Sequence, residues 1–389
     1  MTDSHAPGDG VRQRNLSRLL RLAHQSGPLS RATLTEMTGL NRSTIADLVS
    51  ELARRELVVE QAPTAAGRVG RPSPVVAASA DVVAIAANPE VDALEVAAIG
   101  LDRSVRLRDR IELDHLASPH EIARLLAERI ADWRSETLSS ARIVALGLAV
   151  PGLVRASDGL VRTAPHLGWT DAPVRDLVAD ATGLPTSVGN DASLGAVAEH
   201  LFGAGRGIDD LVYLNGGASG IGGGLIVHGM PVGGAGGYAG EFGQNRPGIA
   251  TVTDRRAGAG VLEDEVSRAR LLAVAGLTSA DEPTLAAVLH SSTSPSVTEE
   301  LARQRRILST ALANAVNVLN PSVVVLGGFL ATLAGHDIAG LLQAVRAQAM
   351  PACAEDLEIR PALLAEDRLL VGAAEAAFEG LLRDPAIAE

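Results

Sequence analysis

At 389 residues the chain is longer than one ordinary domain, and its 47% hydrophobic content can fill sizeable cores. Only 2% of the residues are aromatic, so those cores must be built from Ala, Val, Leu and Ile; the single cysteine, Cys353, excludes an internal disulfide and a thiolate-ligated metal site. A net charge of −12 argues against a uniform polyanion-binding surface, but Val11 to Val76 holds ten Arg against five acidic residues, a net of +5, and the residues beyond carry −15. A basic end on an acidic body suits a nucleic-acid-binding module joined to a sensor or an enzyme.

In chain order, residues 1–10 lack the apolar stretch of a signal peptide and are expected to form a disordered tail. From Val11 to Gln25, Leu16, Leu19, Leu20 and Ala23 recur on one helical face, and Gly27-Pro28 ends the pattern. Ser30 is placed to cap a helix over Arg31–Thr38; Gly39 supplies a turn, and Asn41 caps a third helix with Ile45, Leu48, Val49 and Leu52 inward.

Two helices joined by a short glycine-containing turn predict a helix-turn-helix, whose second helix enters the major groove by its start. Arg31, Asn41, Arg42, Ser43 and Thr44 are therefore the expected contacts to phosphates and base edges. Strands expected at Leu57–Gln61 and Ser73–Ala78 flank Gly67-Arg68-Val69-Gly70-Arg71-Pro72. Arg68 and Arg71 on such a hairpin tip suit a narrow minor groove, where the potential is most negative. The whole predicts a winged helix-turn-helix over 11–79, with double-stranded operator DNA as its partner.

From about Asp81 the texture becomes β-branched runs separated by glycine-rich turns and alanine-rich stretches. Strands are expected at 82–87, 93–101, 143–150, 210–215, 224–227 and 322–326, and helices at 124–133, 192–202, 302–319 and 341–350. That mixture is an α/β body over 80–389. No apolar run reaches membrane-spanning length, so a soluble, cytoplasmic protein with no membrane partner is expected.

Seven motifs stand in order along this body: Ala149-Val150-Pro151-Gly152; Ala164-Pro165-His166-Leu167-Gly168-Trp169; Gly189-Asn190-Asp191-Ala192; Glu199 with Phe202-Gly203-Ala204-Gly205-Arg206-Gly207; Gly220-Ile221-Gly222-Gly223-Gly224; Ala239-Gly240-Glu241-Phe242-Gly243; and Gly260-Val261-Leu262-Glu263. Together they resemble ROK proteins (repressors, open reading frames and sugar kinases), over nearly the whole chain. The resemblance implies an actin/hexokinase-like, ribonuclease H-like body of two lobes. Lobe one would span about 80–190 plus 365–389, and lobe two about 191–364, with 366–382 as a closing helix. It also implies a sugar or sugar derivative as effector, bound by Gly152, Asn190, Asp191, Glu241, Gln244 and Glu263, in a homodimer or tetramer. A carboxylate accepting from sugar hydroxyls forms charge-assisted bonds worth about 1.5–3 kcal/mol each. Asn190-Asp191 also reads as a simple helix cap.

Two departures from the family pattern matter. Where the first phosphate loop of the kinases would carry Asp-Ile-Gly-Gly-Thr, this chain has Asn88-Pro89-Glu90-Val91-Asp92, without the glycines and with two carboxylates facing where phosphate would lie. Asp191 is then a vestigial general-base position, and a pseudokinase with no catalytic residue and no cofactor is expected. The family's zinc-binding His and Cys positions align with Gln244, Asp254, Arg256 and Val261, so zinc is not expected. The loop 247–260 must then be ordered by ion pairs or on ligand binding. Three readings follow: a sugar-responsive repressor, a bifunctional ATP-dependent sugar kinase, and a ligand-independent DNA-binding dimer.

Overall fold

The computed structural model describes residues 7–62, 73–217, 220–249, 251–258 and 260–388. It opens with α1 (Pro7–Ser26), β1 (Leu29–Ser30), α2 (Arg31–Thr38), α3 (Arg42–Arg54), β2 (Val58–Gln61) and β3 (Val75–Ala78). Leu16, Leu19, Leu20 and Ala23 of α1 are buried together with Leu34 of α2 and Ile45, Leu48, Val49 and Leu52 of α3. Both expected caps form: Ser30 Oγ accepts from the Thr33 N–H and Asn41 Oδ1 from the Thr44 N–H. Gly39 sits at φ 71°, a left-handed conformation that glycine adopts without a Cβ penalty. The strands pair antiparallel in the order β1-β3-β2.

The helix starts at Pro7, so residues 7–10 are helical where a disordered tail was expected. Proline favours a first helical turn, whereas Gly8 and Gly10 hid that turn from a propensity reading. The basic tip with Arg68 and Arg71 lies outside the described residues.

The chain continues through β4 (Val82–Pro89), β5 (Ala93–Gly100), β6 (Val105–Glu112), α4 (Pro119–Ser135), β7 (Arg142–Val150), β8 (Leu153–Val154), β9 (Val161–Ala164), β10 (Trp169–Ala172), α5 (Val174–Thr182) and β11 (Thr186–Asn190). Then come α6 (Asp191–Phe202), β12 (Leu211–Gly216), β13 (Ile221–Val227), β14 (Met230–Pro231), α7 (Leu262–Glu265), α8 (Arg268–Val274), α9 (Glu282–Ser291) and α10 (Pro295–Leu319). The last elements are β15 (Val323–Gly328), α11 (Phe329–Gly335), α12 (Ile338–Arg346), α13 (Pro351–Ala354), β16 (Glu358–Pro361) and α14 (Arg368–Arg383).

Contacts divide the chain into two compact units: 1–149 with 167–188 and 373–389, and 150–166 with 189–372. The expected lobe bounds therefore shift, because Val150–His166 belongs to the second unit. There the Ala156 N–H bonds Gly236 O, and Asn190 Nδ2 donates to Gly152 O at 3.1 Å.

In the first unit the sheet order is β11-β7-β4-β5-β6, with β7 parallel to β4 and the rest of β4-β5-β6 antiparallel. The second unit repeats this order as β16-β15-β12-β13-β14. The central strands β4 and β12 are buried along their whole length, which is why they read as nearly continuous apolar runs. Strand β13 starts three residues before the expected one and absorbs Gly222–Gly224. A Cβ at Gly222 would come within 2.7 Å of the Ala192 Cβ, and one at Gly224 within 2.5 Å of the Ala196 Cβ, so these glycines let α6 lie against the strand.

In the first unit α1 and α14 are laced together. Ser17 Oγ donates to Leu382 O, Arg21 pairs with Glu379, and the fully buried His24 sits between Leu101 O and Glu375 Oε1. Leu101 O and the Glu375 carboxylate both accept, an arrangement that favours the doubly protonated ring. Burial works against that charge, but the neighbouring Glu375 carboxylate outweighs it and raises the histidine above its usual range.

Candidate functional site

All six expected sugar-site residues line one cavity of about 410 Å³ in the second unit. Asn190 ends β11 and caps α6, its Oδ1 accepting from the Ser193 N–H at 2.9 Å, as the helix-cap reading expected. Capping uses only one end of the amide. The other donates to Gly152 O and to Asp191 Oδ1, both at 3.1 Å, and so orients the next side chain. Asp191 Oδ1 also accepts the Ala192 N–H at 2.8 Å. Burial pushes the Asp191 carboxyl up to about 6, against the opposing pull of that N–H and of Arg368.

Glu263 comes from α7 and is held at both oxygens, one accepting from the Ile221 N–H at 3.2 Å and the other from the Gln244 side-chain amide. Room for it depends on a bare backbone: a Cβ on Gly243 would lie 2.6 Å from Glu263 Oε2 and 2.3 Å from Ile221 O. Glu241 precedes the short turn Phe242–Gln244 but does not cap it. It is half-buried and raised above the usual range by burial and by the charges of Asp191 and Glu263. Thr163, His166 and Asn215 also line the cavity, and sequence reasoning did not single them out. His166 stands inside one of the seven motifs, which was the available signal.

The positions of the family's zinc ligands do not fit a metal. Gln244 is bonded to Glu263, and Asp254 receives a two-pronged pair from Arg306 at 2.9 and 3.1 Å. Among the described residues no group of three His, Cys, Asp or Glu side chains could hold a metal ion. Ion pairs order the loop instead. Arg303, wholly buried, donates to Asp254 O at 2.7 Å, Glu265 O at 2.6 Å, Glu265 Oε2 at 3.0 Å and both oxygens of Glu300 at 2.7 and 2.9 Å. Glu265 in turn accepts the N–H groups of Arg256 and Ala257. Glu199, which also belongs to the motif series, braces the frame of this unit. Its buried carboxylate accepts the N–H groups of Ala204, Leu363 and Leu364.

In the first unit the segment Asn88–Asp92 ends β4 and turns tightly, the Glu90 N–H bonding Ala93 O at 2.7 Å. Arg110 pairs with Glu90 at 2.7 Å and with Asp92 at 3.2 Å. Asn88 is buried and donates to Glu90. The turn is thus closed on its own side chains.

In the three-helix module, Asn41, Arg42 and Ser43 are exposed at the start of α3, and Arg42 makes no ion pair among the described residues. Asn41 Oδ1 is occupied by the Thr44 N–H and the Ser43 hydroxyl, which leaves its amide outward. Thr44 is half-buried, and Arg31 is paired with Glu60 at 2.6 Å, so these two are less available than Arg42.

Residues 91–379 match the ROK family. The xylose repressor of Caldicellulosiruptor bescii is 25% identical over 334 residues, covering 82% of this chain and 83% of the repressor. The glucokinase of Halalkalibacterium halodurans is 30% identical over 273 residues, covering 64% of this chain and 82% of the kinase. A solved ROK family transcriptional regulator, described as a homologue of the Escherichia coli MLC protein, aligns with a TM-score of 0.76 at 23% identity, over 96% of this chain and 98% of that one. The ROK hexokinase of Thermus thermophilus aligns with a TM-score of 0.61 at 26% identity, over 77% and 99%. The body therefore has the α/β sugar-kinase-like fold. No helix among the described residues is long and apolar enough to cross a membrane.

Proposed function

The chain belongs to the ROK family, and on that premise we propose that it is a DNA-binding transcription regulator, a repressor, whose body binds a sugar and has lost phosphotransfer. The observation that carries this reading is the exposed, basic start of α3 in a three-helix module with a three-stranded sheet. That is the arrangement of a winged helix-turn-helix, and Arg42 is the side chain best placed to reach a base edge or phosphate. Arg68 and Arg71 belong to the expected wing. A relative named as a xylose repressor aligns over 82% of this chain, which supports regulation over metabolism.

Asn190, Asp191, Glu241, Gln244 and Glu263 around one cavity support a polyhydroxylated ligand, because each offers acceptors or an amide to adjacent hydroxyls. Loss of phosphotransfer rests on Asn88–Asp92, where the kinase loop's glycines are absent and two carboxylates, Glu90 and Asp92, stand paired with Arg110. As in other regulators with an effector site, sugar occupancy would alter operator affinity by mutual linkage.

The test is binding of the full chain to DNA fragments selected from its own genome, with and without sugars. Arg42→Ala should weaken specific binding by about 1–3 kcal/mol, roughly five- to 150-fold. Unchanged affinity in that variant would overturn the docking. Glucokinases among the relatives favour a second reading, and sugar-dependent ADP release from ATP would establish it.

A further inference from the structure

We propose that the cavity takes an amino sugar, a ring carrying a protonated amine beside its hydroxyls, with the ammonium set against Glu241. This rests on the sugar-site reading and names the ligand class within it. The cavity is lined by three carboxylates, Asp191, Glu241 and Glu263, and by no Arg; the chain has no lysine. Arg368 acts on Asp191 from outside the lining, and His166 stands exposed among the lining residues.

Two of the three carboxylates are already engaged: Glu263 by the Gln244 amide and the Ile221 N–H, Asp191 by the Ala192 N–H and the Asn190 amide. The Glu241 carboxylate accepts no hydrogen bond among the described residues, although the residue is half-buried and faces two like charges. Asn215, also on the lining and 6% exposed, has a side-chain oxygen with no partner. The wall therefore presents unmatched acceptors and surplus negative charge.

A metal ion is not the complement, because the carboxylates do not gather closely enough to hold one. A neutral sugar would bring donors but leave the charge uncompensated. An ammonium brings three donors and no acceptor, and charge-assisted bonds to a carboxylate are roughly twice as strong as neutral ones. An N-acetylated amine loses the charge and adds an acceptor, so it fits this wall less well.

The experiment is calorimetric titration and thermal unfolding of the full chain at pH 7 with three series. These are glucosamine, galactosamine and mannosamine; their neutral parents glucose, galactose and mannose; and the N-acetylated forms. At least one amine should bind about tenfold or more tighter than both its parent and its N-acetyl form, and Glu241→Gln should bring that ratio close to parity. A parent or N-acetyl sugar binding as tightly as its amine would overturn the proposal and leave the sugar-site reading standing. Silence across all three series would overturn both. An amine preference that survives Glu241→Gln would overturn the assigned position of the ammonium.

Discussion

Two carboxylate clusters in the second unit are only two residues apart in sequence and opposite in character. Glu263 belongs to a cavity wall with Asp191 and Glu241, where no guanidinium enters. Glu265 belongs to a buried network in which Arg303 donates five hydrogen bonds, to Asp254 O, to Glu265 and to Glu300. One short helix, α7, thus delivers one acid to a ligand space and the other to the protein's own frame. Negative charge that the fold has matched is structural, and charge that it has left unmatched is where an outside partner is called for.

The comparison breaks most sharply at Arg303. Replacing it by Met strands Glu265 and Glu300 in the interior and should cost about 3–5 kcal/mol, seen as a large fall in Tm. A cost under about 1 kcal/mol would mean that the network is dispensable. Gly243→Ala comes next. Its methyl would press on Glu263 Oε2 and Ile221 O, so a loss of about 1–3 kcal/mol is expected, with sugar binding weakened as Glu263 is displaced.

Glu241→Gln should be the mildest, within about 0.5 kcal/mol of the parent protein. Its pH dependence sharpens the contrast. Glu241 is raised in the folded state, so its ionisation costs stability as pH rises from the unfolded pKa through the folded one. The variant's small gain should therefore be present at pH 7 and vanish near pH 4. Glu300 behaves oppositely. Burial resists its charge, yet the bonds from Arg303 and Gln304 hold its carboxyl below the usual range. Its contribution is full above the unfolded pKa of about 4.3 and lost as pH falls through the lower folded value, so acid should unfold the chain in that range. Stability that rises on acidification from pH 5 to 3 would contradict this sign.

The cavity was legible because its residues sit in motifs that are contiguous in sequence, and the helix caps at Ser30, Asn41 and Asn190 were legible because capping is local. The Arg303 network was not, since its partners Glu265 and Arg303 are 38 residues apart and charges along a helix such as α10 read as a solvated face. Strand β6 was missed for a related reason. Its Arg106, Arg108 and Arg110 alternate along an edge strand that is half exposed, which gives no apolar run. Strands β8 to β11 are two to five residues each, too short for a periodic signal.

The lacing of α1 to α14 sets an order of events during synthesis. His24 and Glu375 are 351 residues apart. At about 5–20 residues per second, on the order of twenty seconds to a minute passes between translation of the two. Through that interval the first helix has left the ribosome while the surface that will receive it does not yet exist. The module at the front of the chain therefore takes its final seat among the last steps of maturation, after the closing helix has been made.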